Sequence, residues 1–184
     1  MKTQYYTASS LNGFLADEHN SLDWLFQFGE GEGTDLEEFM GAVGAIAMGS
    51  TTYEWMLDYL ANPSPSGALP AWPYEQPVWV FTTRALRAVP GADIRFVKGD
   101  VRPIHTDMVA AAGGKNVWVV GGGELVGQFH DHGLLEEIIV TFAPVVLAGG
   151  APLLPRRIVT PPLKLLSTKT FGGIFVSVKY EVQR

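Results

Sequence analysis

The sequence predicts an α/β fold with a mostly parallel central sheet. Three observations carry this. Strand and helix signals alternate along the chain, as they do when helices cover the faces of a sheet. Two short runs, Val78 to Phe81 and Val117 to Val120, are wholly apolar, as expected of strands buried on both faces. Near the end, residues 163 to 171 and 174 to 182 alternate around Gly172-Gly173, a hairpin signal that predicts an antiparallel C-terminal pair.

The elements follow in order. Tyr5 to Ser9 reads as the first strand. Leu11-Asn12-Gly13 turns the chain, because Asn and Gly tolerate positive φ. Residues 17 to 33 are rich in Gly, Asp, Glu and Ser and read as a long loop. Thr34-Asp35-Leu36-Glu37 matches a capping box, and Leu36, Phe39, Met40 and Val43 recur at helical spacing, with Gly44 expected to end that helix. Ala45 to Met48 is a short buried strand. Gly49-Ser50 opens a helix over Thr51 to Leu60, and residues 61 to 77 form a proline-rich surface segment. Ile94 to Val97 is a strand, Val101 to Ala112 a helix that tolerates Pro103 near its start, Glu124 to His130 a helix, and Glu137 to Phe142 a strand. Residues 143 to 155 are rich in Pro and Gly. No repeat or linker interrupts the series, so residues 1–184 are expected to form one three-layer domain, with helices on both faces of the sheet.

Composition narrows the function. Hydrophobic residues make up 47% of the chain and charged residues 17%, which marks a globular protein. The net charge of −6 argues against nucleic acid as a partner. There is no cysteine, so thiolate nucleophiles and Cys-based zinc sites are excluded. The first residues lack the apolar core of a signal peptide, and the apolar stretch Ile138 to Ala148 holds Pro144 and is too short to cross a bilayer. A cytoplasmic protein that does not bind membrane is expected.

Three strands end in small or hydroxyl residues: Gly49-Ser50-Thr51-Thr52, Thr82-Thr83-Arg84, and Gly121-Gly122-Gly123-Glu124-Leu125. In open α/β sheets, ligands bind beyond the carboxyl ends of the strands. Helix N-termini there present free amides to phosphate, glycines let it approach, and Arg84 has the fork for a further phosphate. Each segment also has a plainer reading, as a tight turn, a helix cap or a solvated charge. The recurrence of one chemistry at three strand ends favours a phosphate-bearing ligand. The glycine run is not the dinucleotide fingerprint of the Rossmann fold: it lies late in the chain, and Thr141 stands where that motif places an acid. His130-Asp131-His132 reads as a solvated helix end without a third ligand, so no metal is expected.

Four segments in order resemble one family: Ser10-Leu11-Asn12-Gly13; Met48-Gly49-Ser50-Thr51-Thr52-Tyr53-Glu54; Val119-Val120-Gly121-Gly122-Gly123; and Leu134-Leu135-Glu136-Glu137 through Pro144 to Pro155. They are similar to dihydrofolate reductase and to the reductase domain of the bifunctional riboflavin-pathway deaminase–reductase, of which this chain looks like a stand-alone relative. The resemblance implies a dihydrofolate reductase-like fold and NADPH-dependent hydride transfer to a pteridine or amino-pyrimidine, as in 5-amino-6-(5-phosphoribosylamino)uracil reductase. It places Ala8, Leu11 and Gly13 near the nicotinamide, Gly49 to Thr52 and Gly121 to Leu125 around the diphosphate, and Thr82, Thr83 and Arg84 at the 2′-phosphate. Asp35, with Phe39 on the same helix, resembles the acid that assists pterin protonation; Asp35 reads equally well as a favourable helix-start charge. Asn12, Phe39, Tyr53 and Thr141 are the substrate-side candidates. The riboflavin branch usually has Asp where Asn12 stands, Lys where Tyr6 stands and Glu where Val120 stands, which implies a shared fold and cofactor with a changed substrate. A non-catalytic NADP-binding protein of the same fold is the alternative. The apolar C-terminal strands and the family habit imply a homodimer.

Overall fold

A computed structural model describes residues 1–29, 35–62 and 69–184. The elements are β1 (Thr3–Ser10), β2 (Phe14–Ala16), α1 (Asp23–Phe26), α2 (Leu36–Gly41), β3 (Val43–Gly49), α3 (Ser50–Ala61), β4 (Val78–Phe81), β5 (Ile94–Val97), α4 (Val101–Ala111), β6 (Asn116–Gly121), α5 (Gly123–Asp131), β7 (Glu137–Ala143), β8 (Ala151–Pro152), β9 (Lys164–Phe171) and β10 (Phe175–Glu181). Eight strands form one sheet in the order β5-β4-β3-β6-β1-β7-β10-β9, and β2 and β8 form a two-stranded ribbon. The pairs from β5 to β7 are parallel, while β10 is antiparallel to both β7 and β9. This is the predicted α/β sheet with its antiparallel C-terminal pair.

Strand alternation builds a core on each face. Tyr5, Ala45, Ala47, Trp79, Val117 and Val119 point to one side and pack with Val101 and Met108 of α4 and Leu125, Val126 and Phe129 of α5. Their neighbours Tyr6, Ile46, Met48, Val78, Val80 and Trp118 point to the other, against Tyr53 and Met56 of α3 and Phe39 and Met40 of α2. Period-two alternation thus serves two apolar layers at once, which is why these strands read as continuous apolar runs.

The structure corrects three local expectations. The helix expected to reach Val43 stops at Gly41, and Val43 and Gly44 belong to β3. Val43 is fully buried, and a Cβ on Gly44 would lie 2.3 Å from the Ala112 carbonyl oxygen. Gly44 is therefore a close-packing position against the end of α4, not a helix stop. The stretch from residue 17 holds the short helix α1, which buries its own Trp24. Thr34, the expected capping hydroxyl, lies outside the described residues; Asp35 occupies the cap position, and its side chain makes no cap bond. At the hairpin, Gly172 and Gly173 have φ of 58° and 69°, and Ile174 N–H donates to the Phe171 carbonyl at 3.0 Å, so both turn positions need left-handed backbone. Among the described residues, no helix is long and apolar enough to cross a membrane.

Candidate functional site

Because β3, β4, β5 and β6 are parallel neighbours, their carboxyl ends open on the same edge of the sheet. A cleft of about 740 Å³ lies there. Two helices begin at it. The 12-residue α3 starts directly after Gly49, and the nine-residue α5 starts after Gly122. Neither N-cap has a side-chain cap bond, so the first-turn amides have no capping oxygen to satisfy them. The two turns touch. An added Cβ at Gly49 would stand 3.6 Å from Gly122 N and 3.7 Å from Gly121 O. The Gly121–Gly122 peptide is cis, and Gly121 has φ of 145°.

Gly123 is demanded by packing. A Cβ on it would come within 2.4 Å of the Pro152 carbonyl oxygen and 2.6 Å of the Leu153 oxygen. The β2–β8 ribbon is thereby pressed on the start of α5, and Leu15, Ala16, Ala151 and Pro152 border the cleft. Past β4, Thr82 Oγ1 accepts from Arg84 N–H at 2.9 Å and tightens the turn. Past β5 come Lys98 and Gly99, the latter at φ of 97°. Ser50, Thr51, Thr52, Thr82 and Thr83 complete a polar half of the cleft.

The other half is mainly apolar. Thr7 and Ala8 of β1 contribute to it with Leu22, Leu25, Trp55, Met56 and Tyr74. Trp55 is flanked by Phe26 and Tyr59, each within 6 Å and nearly parallel. Burial pushes the Tyr74 phenol up to about 12, so it keeps its proton at neutral pH.

The cleft brings together Ala8, Gly49, Ser50, Thr51, Thr52, Thr82, Thr83, Gly121, Gly122, Gly123, Glu124 and Leu125, all candidates from the sequence. Glu124 is held by Arg156 through two bonds of 2.8 Å, and Arg156 also reaches Asp131 at 2.7 Å.

Other candidates do not line the cleft. Leu11 is 62% exposed and donates its N–H to Val145 O at 2.7 Å. Gly13 accepts from Leu153 N–H at 2.9 Å, a contact that aligns the ribbon. Asn12 uses its side chain to hold Leu147, donating to its oxygen at 2.7 Å and accepting from its N–H at 3.1 Å. Tyr53 is fully buried in the core, and its hydroxyl donates to Arg87 O at 2.6 Å. Thr141 is buried beside Ala8 in the β1–β7 ladder. Arg84 faces Glu54, with guanidinium–carboxylate bonds of 2.8 and 2.6 Å.

Asp35 and Phe39 line a separate cavity of about 320 Å³ between α2 and the C-terminal strands. There Asp35 accepts from Lys169 Nζ at 2.8 Å and from the Tyr6 hydroxyl at 3.1 Å. Burial alone would push the Asp35 carboxyl up; the lysine and the hydroxyl outweigh it and hold the group below its ordinary value. Sequence reasoning missed Lys98, Met56 and Tyr74. Lys98-Gly99 had a usable signal, since it follows the strand Ile94–Val97 as the glycine turns follow β3 and β6.

The chain matches the RibD C-terminal domain family over residues 2–176. It is 33% identical over 172 residues to the uncharacterized protein YwjB of Bacillus subtilis (strain 168), covering 93% of this chain and 92% of that one. Among solved structures it is similar to a putative riboflavin biosynthesis protein from Shewanella sp. PV-4, with a TM-score of 0.80, 25% identity and full coverage of both chains. A diaminohydroxyphosphoribosylaminopyrimidine deaminase/5-amino-6-(5-phosphoribosylamino)uracil reductase from Thermotoga maritima superposes with a TM-score of 0.65 at 16% identity, over 99% of this chain and 56% of that one. Dihydrofolate reductase from Enterococcus faecalis, complexed with NADP(H), superposes with a TM-score of 0.61 at 12% identity, over 100% and 97%. The last two likenesses speak for the fold alone. The residues that build the cleft lie inside the matched span, and the protein belongs to the RibD C-terminal domain family, with a dihydrofolate reductase-like fold.

Proposed function

We propose that the protein is an NADPH-dependent reductase of a flat pteridine- or amino-pyrimidine-type ring. The observation that carries this reading is the abutment of two helix N-termini, at Gly49 and Gly122, beside an apolar half-cleft. The donor set fits a dinucleotide. First-turn amides of α3 and α5 and the hydroxyls of Ser50, Thr51 and Thr52 suit the diphosphate. A cleft of this size suits a cofactor and a small ring together.

When bound, NADPH supplies the hydride. The chain orients and shields. Ala8 is small enough to let a ring lie flat on β1, and Leu25, Trp55 and Met56 exclude water from the reacting face. Tyr74 keeps its proton on Oη and so can donate a hydrogen bond but not act as a base at neutral pH. Val120 lines the cleft without a charge, which suits an uncharged ring better than a ribose phosphate.

Fluorescence titration of the purified protein with NADPH tests the reading, followed by turnover with dihydropteridines and amino-pyrimidines. Saturable NADPH binding with oxidation in the presence of one such ring is expected; no saturable binding would sink it. A second reading, an NADP-binding protein without catalysis, is favoured by the withdrawal of Asp35 from the cleft. It predicts binding with no turnover on any of these rings.

A further inference from the structure

A dinucleotide cleft that prefers NADPH needs a cation for the 2′-phosphate, and four arginines on the elements around this cleft are engaged. Arg84 is gripped by Glu54. Arg102, at the start of α4, is held by Asp100, whose side chain also caps the helix at 2.9 Å from Arg102 N. Arg156 is shared by Glu124 and Asp131. Arg95 pairs with Asp93 at 2.9 Å and lies over the Trp79 ring. Among the described residues that line the cleft, Lys98 is the one base, and no ion pair or side-chain hydrogen bond ties it down. It stands directly after β5, beside the Thr82-Thr83 turn that ends β4, because Phe81 and Val97 pair across the two strands. Gly99 follows at φ of 97°, the left-handed bend that takes the chain from β5 into α4.

We propose that Lys98, and not Arg84, reads the 2′-phosphate, and that Glu54 brings about this division by occupying the Arg84 fork. The inference rests on the NADPH reading above. A lysine ammonium is a point charge on a flexible stem and can follow a phosphate, whereas the guanidinium of Arg84 would have to leave two good bonds to do so. Thr83 is placed to add a neutral donor; the Thr82 hydroxyl is already used by the turn.

The test is the ratio of NADH to NADPH dissociation constants, read by fluorescence at low and moderate salt in wild type, Lys98→Gln, Arg84→Ala and Glu54→Gln. Lys98→Gln should weaken NADPH by about tenfold or more, the scale of one charge-assisted bond, and flatten its salt dependence, with NADH unchanged. Unchanged NADH affinity also reports an intact fold. Arg84→Ala should leave the ratio nearly as it is. Glu54→Gln should free Arg84 as a second reader and raise the ratio. If the ratio survives Lys98→Gln, or if Arg84→Ala collapses it, the inference is overturned while NADPH binding stands. Equal wild-type affinity for the two dinucleotides also overturns it. Failure of wild type to bind either would overturn the functional reading and this inference with it.

Discussion

The Tyr6 hydroxyl donates to Asp35 Oδ1 at 3.1 Å, which draws the carboxylate most expected to act on a substrate toward the β-sheet and away from the cleft. Lys169 completes the arrangement at 2.8 Å. Asp35 is therefore expected to stabilise the packing of α2 on β9 and β10. Asp35→Asn should leave NADPH affinity within about twofold and cost about 1 kcal/mol, because the lysine is half exposed and solvent screens the pair. Dinucleotide titration and thermal melting measure the two effects; a loss of binding without a loss of stability would return Asp35 to the active site.

Glu137 is the opposite case. Its side chain is 2% exposed and accepts from Lys179 at 2.8 Å, from Gln4 at 2.6 Å and from Lys2. Burial would raise its carboxyl, but the two lysines and the amide hold it below its ordinary value. Glu137→Gln removes the acceptor that these donors share and should destabilise the fold by about 3 kcal/mol, the lower end for a broken buried pair since both lysines reach solvent. Urea unfolding reads this directly.

A pH dependence follows from the same groups. Asp35 and Glu137 both bind protons more weakly in the folded chain than in the unfolded one. Their stabilisation is fully present above the ordinary carboxylate range, near pH 4 to 5, and is lost as pH falls through their lower folded values. Melting temperature should fall steadily below about pH 5, and the slope should be shallower in Glu137→Gln. Equal slopes would show that other carboxylates govern the acid limb.

Two adjacent glycines should separate folding from binding. Gly123→Ala places a methyl within 2.4 Å of the Pro152 oxygen, so the β2–β8 ribbon must shift; both stability and NADPH affinity should drop. At Gly122 an added methyl meets nothing within 4 Å, and its φ of −74° suits any residue. Gly122→Ala should change stability by no more than about 0.5 kcal/mol, yet weaken NADPH by about tenfold by obstructing the phosphate approach. Undiminished NADPH binding in Gly122→Ala would argue that the glycine turn is only a turn.

We also propose that the chain forms a homodimer. Among the described residues, no strand pairs with the outer edge of β9, and Leu165, Leu166, Ile174 and Val176 of the terminal hairpin are exposed, with Leu165 at 53%. An open, partly apolar edge of this length is normally covered. Light scattering should report twice the chain mass, and Leu166→Lys should shift it toward monomer. A wild-type monomer at high concentration would exclude this interface.

What the residues settled alone was local. The apolar runs at Val78–Phe81 and Val117–Val120, the glycines at 49, 121–123 and 172–173, and the hydroxyls after β3 and β4 announced strands, turns and a polar edge at the strand ends, because each depends on the backbone freedom or side-chain period of neighbours in sequence. Family likeness then supplied the fold that joins them. Tertiary structure decided which charges are engaged. Asp35 meets Lys169 from 134 residues away, Arg84 meets Glu54 across 30, and Lys98 reaches the cleft only because β5 lies beside β4. Gly44 shows the same limit in the core, since its glycine answers to Ala112 and not to the helix before it. A pairing between distant residues leaves no periodic trace in the chain, so the cleft could be anticipated from its strand ends, while the pairings of Asp35 with Lys169 and of Arg84 with Glu54 could be identified only once the sheet had brought them together.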